Sequence, residues 1–257
     1  MALQPPHRGL AAGHPEQRRS SMTEQLYLSR ARLRSSRGEA LSAIAPLLIP
    51  DDPNQQAGHA HRILWMLFQD VSDAKRDFLW RDDRGGKYLI LSRRLPTDPH
   101  GLFELDTKAF EPDLASGQRL RFALRANPTV ALKGARPVDE QGTRTRGQRV
   151  DVVMAALHDI PSGQRAQHRD RIAREATSVW LNGQGAKAGF RVDGDLAVDG
   201  YTQIGVERKR GRPAGFSVLD MEGRIEITDP AAFLGKLAQG FGSAKAFGNG
   251  LMLIRRT

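Results

Sequence analysis

Residues 214–255, AGFSVLDMEGRIEITDPAAFLGKLAQGFGSAKAFGNGLMLIR, carry the reading of the fold. Ala214–Asp220 and Gly223–Thr228 alternate apolar and polar residues in the manner of two half-buried strands. Pro230–Gln239 follows as a helix, with Pro230 in its first turn and Asp229 as its cap. Gly240–Gly250 is a glycine-rich loop, and Leu251–Arg255 is a closing strand. Strands and helices mixed in this order indicate an α+β protein whose helices cover one face of a sheet.

The same mixture extends upstream. Tyr201–Glu207 reads as a strand, and Val150–Leu157 and Ser162–Leu181 read as helices. An Arg- and Gly-rich connector, Arg136–Arg149, precedes them. Arg119–Asn127 and Phe103–Phe110 are strands, the former broken by Asn127-Pro128. Asp77–Arg81 and Lys87–Ser92 pair around the turn Asp82–Gly86. His59–Phe68 places Ile63, Leu64, Leu67 and Phe68 on one helical face. Asp51–Gly58 is a polar turn, Glu39–Leu48 a short helix and Leu26–Leu33 a strand. Each half then holds a few strands and about two helices, which predicts two tandem ferredoxin-like βαββαβ domains, 22–115 and 116–257. Residues 1–21 are polar and rich in Pro and Gly, and read as a disordered N-terminal extension.

Composition narrows the function. The 257 residues include 39 Lys+Arg against 29 Asp+Glu, a formal net charge of +10. The tail contributes Arg8, Arg18 and Arg19 against Glu16, so most of the surplus belongs to the body. A basic soluble chain suits a polyanion, nucleic acid before acidic lipid. Apolar stretches such as Ile63–Phe68 fall far short of the roughly 20 residues that span a bilayer. With no cysteine there is no thiolate zinc site, disulfide or cysteine nucleophile, and a cytoplasmic location is expected.

Three groups of residues can carry chemistry. The loop GFGSAKAFGNG at 240–250 follows a helix and precedes a strand, the reverse of a dinucleotide fingerprint. Lys245 is followed by Ala246-Phe247, not by the Ser/Thr of a Walker loop. Glycine backbone near Gly242 and the charge of Lys245 suit a phosphate, while a tight structural turn explains the spacing equally well. GVERKRGRPAG at 205–215 is a hairpin whose tip carries Arg208, Lys209, Arg210 and Arg212, suited to a groove or a phosphate backbone or to plain solvation. Arg136, Arg144, Arg146 and Arg149 form a looser cluster. Among the histidines, His59 and His61 lack a third metal ligand nearby, so no metal site is expected. His61 is the best placed for chemistry, at the start of an amphipathic helix after a polar turn.

Taken together, LYLSRARL at 26–33, HRILWMLF at 61–68, RDFLWR at 76–81 and RLRFALRANP at 119–128 resemble the CRISPR-associated endoribonucleases of type I-E systems, the CasE family of Cascade subunits. GQRVD at 147–151, FSVLDMEGRIEITDP at 216–230 and QGFGSAKAFGNGLMLI at 239–254 continue the resemblance. It implies tandem ferredoxin-like domains and metal-independent cleavage of precursor CRISPR RNA on the 3′ side of a repeat stem-loop. Its implied partners are the repeat RNA hairpin, the mature guide RNA and other Cascade subunits, with no membrane and no small-molecule cofactor. His61 matches the family's catalytic histidine, as general acid or as general base. Arg62, Arg149, the basic hairpin tip, Gly242 and Lys245 are the expected RNA contacts. Well-studied members carry a tyrosine three residues before the histidine, where this chain has Gly58. That departure motivates a rival expectation, a repeat-RNA-binding scaffold without cleavage. A generic basic α+β protein with a structural loop is the third.

Overall fold

The computed structural model describes residues 25–34, 53–69, 76–131, 149–206 and 214–257. The expected N-terminal extension, the helix Glu39–Leu48, most of the Arg136–Arg149 connector and the basic tip Arg208–Arg212 lie outside the described residues. The protein is α+β, built on two antiparallel sheets.

The first sheet holds β1 (Tyr27–Leu33), β2 (Phe78–Asp82), β3 (Lys87–Ser92) and β4 (Phe103–Ala109), in the order β2-β3-β1-β4. Helix α1 (Pro53–Trp65) and a 3-10 turn (Met66–Phe68) cover one face. Ile63, Leu64, Leu67 and Phe68 pack there against Ala31, Phe78, Trp80, Ile90 and Phe103. Leu64 and Phe68 are fully buried, each contributing about 1.5–3 kcal/mol in apolar transfer. Helix α1 starts at Pro53, six residues before the expected start, so most of the supposed Asp51–Gly58 turn is helical. Proline is well tolerated at the first helical position, and Gln55, Gln56 and Ala57 are good helix formers, so polarity alone misled. His61 consequently sits in the third turn of the helix rather than at its start.

In the second sheet the order is β11-β5-β10-β8, from β5 (Arg119–Ala126), β8 (Phe190–Val192), β10 (Ala214–Ile227) and β11 (Met252–Arg256). Strand β9 (Ala197–Val206) pairs with the first part of β10. A two-stranded ribbon, β6 (Thr129–Ala131) with β7 (Arg149–Asp151), leads into α2 (Val152–Leu157). Leu120, Phe122, Leu124 and Ala126 of β5 point into a core closed by α3 (Arg165–Ala188) and α4 (Pro230–Gln239). Arg119 and Arg121 stay outside, as period-2 alternation requires.

Two expectations change here. The strands Ala214–Asp220 and Gly223–Thr228 are one strand of 14 residues, with Met221 fully buried and Glu222–Gly223 in register with β5. Gly223 is not a turn residue: a Cβ there would lie 3.2 Å from both the Phe122 ring and the Asp195 carbonyl oxygen. Helix α3 runs past Leu181 to Ala188 despite Gly183 and Gly185. Gly185 admits Phe190, whose carbonyl oxygen would be 2.5 Å from a Cβ at that position.

A third cluster joins the halves. Leu26, Leu79 and Leu91 of the first meet Leu251 of the second, with Leu234, Ala238 and Leu253 around them. This contact brings α1 and β2 against the glycine-rich loop. Among the described residues no helix is long and apolar enough to cross a membrane.

Candidate active site

His61 lies at the edge of the face that α1 turns to its sheet, half-buried beside Phe78, with ring centroids 6.2 Å apart. Trp65, one turn on, is edge-on to Phe78 at 5.3 Å and donates its Nε1–H to His61 Nε2 at 3.1 Å. A neutral imidazole accepting at Nε2 carries its hydrogen on Nδ1. His61 Nδ1 is buried and has no hydrogen-bond partner among the described residues. Burial lowers the pKa of His61 below its ordinary 6.5, and the Arg76 guanidinium lowers it further. The ring is therefore neutral at pH 7.

The glycine-rich loop arrives from the second half. Its 3-10 turn, Lys245–Phe247, is pinned at three points. Trp80 Nε1–H donates to the Ala246 carbonyl at 3.3 Å, and the Phe247 ring packs on Phe216 at 5.2 Å. Gly248, at φ +77°, lies flat on Trp80, whose ring would be 2.9 Å from a Cβ. Gly242, at φ +71°, faces Asn127, whose carbonyl oxygen would be 2.5 Å from a Cβ. The Ser243 N–H donates to that same carbonyl at 2.9 Å. The tight-turn reading thus accounts for Gly242 and Gly248, while leaving Lys245 projecting from a rigid base.

Lys245 is half-buried, and its pKa is lowered by burial, then by Arg76 and Arg149. The Arg76 guanidinium is itself partly desolvated, which lowers its pKa. Arg149 is held by Thr129, donating from Nε to Oγ1 at 3.1 Å and from its terminal nitrogen to the carbonyl at 3.4 Å. The Thr129 and Ser243 hydroxyls meet at 2.8 Å, tying β6 to the loop. His61, Arg76, Lys245 and Arg149 thus form a run of cationic and titratable groups drawn from α1, the approach to β2, the loop and β7. Among the described residues none of Arg76, Lys245 and Arg149 is paired with a carboxylate.

Of the expected site residues, His61 and Lys245 lie beside Arg76, and Arg149 lies beside Lys245. Gly242 serves the loop's approach to Asn127. Arg62 is exposed, roughly 100° around the helix from His61. Arg208, Lys209, Arg210 and Arg212 lie outside the described residues, between the described ends of β9 and β10. Gly58 leaves open space: a Cβ there would meet nothing within 4 Å. Sequence reasoning missed Arg76 and Trp65. Trp65 is signalled by its i, i+4 spacing from His61, which puts two rings capable of hydrogen bonding on one helical face. Arg76 opens the RDFLWR motif but has no periodic or local signal of a site role.

The sequence matches the family described as CRISPR associated protein over residues 26–256. It is 31% identical over 157 residues to the CRISPR-associated endoribonuclease Cse3 of Thermus thermophilus, covering 57% of this chain and 60% of that protein's length. It is 28% identical over 201 residues to the CRISPR system Cascade subunit CasE of Escherichia coli K12, covering 76% and 89% respectively. Among solved structures, Cse3 bound to a 19-nucleotide RNA superposes with a TM-score of 0.61 at 24% identity, covering 91% of this chain and 99% of the other. Cas6e of E. coli superposes with a TM-score of 0.56 at 22% identity, covering 90% and 100%. At these identities the superpositions establish a shared fold.

Proposed function

Because the chain belongs to the CRISPR-associated Cse3/CasE (Cas6e) family of type I-E Cascade subunits, we propose that it is a metal-independent endoribonuclease. It cleaves precursor CRISPR RNA on the 3′ side of the repeat stem-loop and keeps the product as guide RNA within a cytoplasmic Cascade complex. The observation that carries this reading is the convergence of His61 with Arg76, Lys245 and Arg149, cations without carboxylate partners among the described residues.

RNA brings its own nucleophile. The 2′-oxygen attacks the adjacent phosphorus in line with the departing 5′-oxygen, forming a 2′,3′-cyclic phosphate and breaking the P–O5′ bond. The protein has to orient the groups, offset charge on the pentacoordinate phosphorus and move two protons. His61, neutral in the free protein, takes the proton from the 2′-OH at Nε2 once RNA displaces the Trp65 N–H. Lys245 and Arg76 offset the phosphorane charge, and Lys245 supplies the proton that completes the 5′-hydroxyl. Arg149, Arg62 and the tip residues Arg208, Lys209, Arg210 and Arg212 contact flanking phosphates, and the loop backbone at Gly242 approaches the RNA.

The finer architecture belongs to the same proposal: two ferredoxin-like domains, 22–115 and 116–257. Both sheets run in an order that puts the last strand beside the first and the first beside the third, which supports this division. The segment Arg93–Leu102, between β3 and β4, holds no helix, so the first unit departs from the full βαββαβ pattern.

One observation favours the second reading, an RNA-holding scaffold without cleavage. Both His61 nitrogens are sequestered in this state, and Gly58 offers no side chain in their support. Incubation with the host's repeat RNA in EDTA separates the two. Cleavage at the foot of the stem leaving a cyclic phosphate supports the nuclease, and tight hairpin binding with intact RNA supports the scaffold.

A further inference from the structure

Two hydroxyl groups stand where the second sheet meets the glycine-rich loop. Thr129 Oγ1, on β6, and Ser243 Oγ, in the loop, are 2.8 Å apart. Thr129 shares a face of the β6–β7 ribbon with Arg149, whose strand partner is Ala131. The Arg149 Nε–H donates to Thr129 Oγ1 at 3.1 Å, and a terminal nitrogen donates to the Thr129 carbonyl at 3.4 Å. One residue thus orients the guanidinium through two bonds and leaves its other N–H donors uncommitted among the described residues.

The loop side is held just as closely. The Ser243 N–H donates to the Asn127 carbonyl at 2.9 Å, and the buried Asn127 amide donates to the Ser217 carbonyl at 2.6 Å. Ser243 is thereby tied through β5 to β10, two residues before Lys245, whose charge interacts with that of Arg149.

The direction of the hydroxyl bond follows from the cation. A threonine hydroxyl has two lone pairs and one hydrogen. Accepting from a guanidinium polarises it and strengthens it as a donor, which directs its hydrogen to Ser243. The Ser243 hydrogen is then left over, without an acceptor among the described residues. Asp151, opposite Thr129 in register, is already engaged by the Val153 and Met154 N–H groups and the Tyr201 hydroxyl.

We infer that Thr129 is a positioning residue, which aims the Arg149 guanidinium and the Ser243 hydroxyl at one phosphate of the bound RNA beside Lys245. The inference rests on the RNA-cleavage reading above and deepens it. A phosphate there takes the uncommitted donors of Arg149 and the Ser243 hydrogen, supplying the acceptor that the chain of bonds otherwise lacks.

The test uses hairpin RNAs of the host's repeat, each with one neutral methylphosphonate linkage beside a 2′-deoxy sugar. Binding is measured against the matching 2′-deoxy phosphodiester. In the unaltered protein, neutralising one linkage near the cleavage site is expected to weaken binding about ten-fold more than neutralising its neighbours. That excess should fall to about two-fold or less in Thr129→Val and return in Thr129→Ser. It should shrink in part in Ser243→Ala, and Thr129→Val should add little to Arg149→Ala, because both remove the same contact. An unchanged linkage profile in Thr129→Val, or no recovery in Thr129→Ser, overturns the inference. Ser243→Ala decides independently of how Thr129→Val folds, since a full excess in that variant also overturns it. No preference of the unaltered protein for the hairpin over unstructured RNA of equal length overturns the RNA reading itself.

Discussion

Arginines of this protein occupy two contrasting settings, one at the outer edge of the second sheet and one at the loop. At the edge, Glu226 of β10 stands between Arg119 and Arg191 in register and is 2.8 Å from Arg191. Asp193 lies 3.7 Å from Arg119 and 3.6 Å from Arg224. Hydrogen bonding to Glu226 raises the Arg191 pKa, and Arg191 in turn lowers that of Glu226. At the loop, Arg76 and Lys245 have no such partner among the described residues and their pKa values fall through burial, Lys245 further through its cationic neighbours. Like charges held together cost energy that an incoming polyanion recovers. Charge count alone does not locate a nucleic-acid site, because neutralised arginines contribute nothing to it.

The largest effect expected from breaking this contrast is on cleavage. Lys245→Ala should slow single-turnover cleavage by about 10²–10³-fold, the usual loss for a donor aimed at developing charge. Arg191→Ala should leave the rate unchanged. Equal rates for Lys245→Ala and the unaltered protein would remove the loop from the chemistry.

Next comes salt dependence. Arg76→Ala and Arg149→Ala should each weaken RNA binding and reduce the slope of log K against log salt by about 1. Arg191→Ala and Arg224→Ala should not, since their counter-charges are already within the protein. Identical slopes in all four variants would show that the two settings do not differ for RNA.

A smaller effect concerns pH. His61 is held below 6.5 by burial and by Arg76, so it is neutral at pH 7 and activity is lost on the acid side, as pH falls through the lowered pKa. The Trp65 N–H stabilises the neutral ring by donating to it. Trp65→Phe should move the His61 titration of the free protein, followed by NMR, to higher pH, and Arg76→Ala should move both that titration and the acid limb to higher pH. A downward shift in either would contradict the assigned environment. The smallest effect is at the exposed edge, where Arg191→Ala should scarcely move the urea midpoint at neutral pH.

The fold was legible where periodicity and caps coincide. Helix Pro230–Gln239 appears with its Asp229 cap accepting from Ala232 N–H, and β5 follows the alternation of RLRFALRA. It was less legible where local chemistry and tertiary packing disagree. The expected strand boundary before Gly223 and the expected helix end at Leu181, ahead of Gly185, both fall inside regular elements, where Phe122 and Phe190 pack against the two glycines. The polar start of α1 concealed a helix beginning at Pro53. At the site, His61, Lys245 and Arg149 were named from the sequence, but Arg76, the neighbour that His61 and Lys245 share, was not. Arg76 acquires meaning only because the contact of Leu26, Leu79 and Leu91 with Leu251 folds the halves onto each other. No linear pattern records that juxtaposition.

The most direct test of the central claim compares the unaltered protein with His61→Ala on the host's repeat RNA in EDTA, reading hairpin affinity and single-turnover cleavage together. Near-equal affinity is expected, with cleavage leaving a 2′,3′-cyclic phosphate in the unaltered protein and a rate at least about 10²-fold lower in the variant. Cleavage at the same site and rate by both proteins would contradict it.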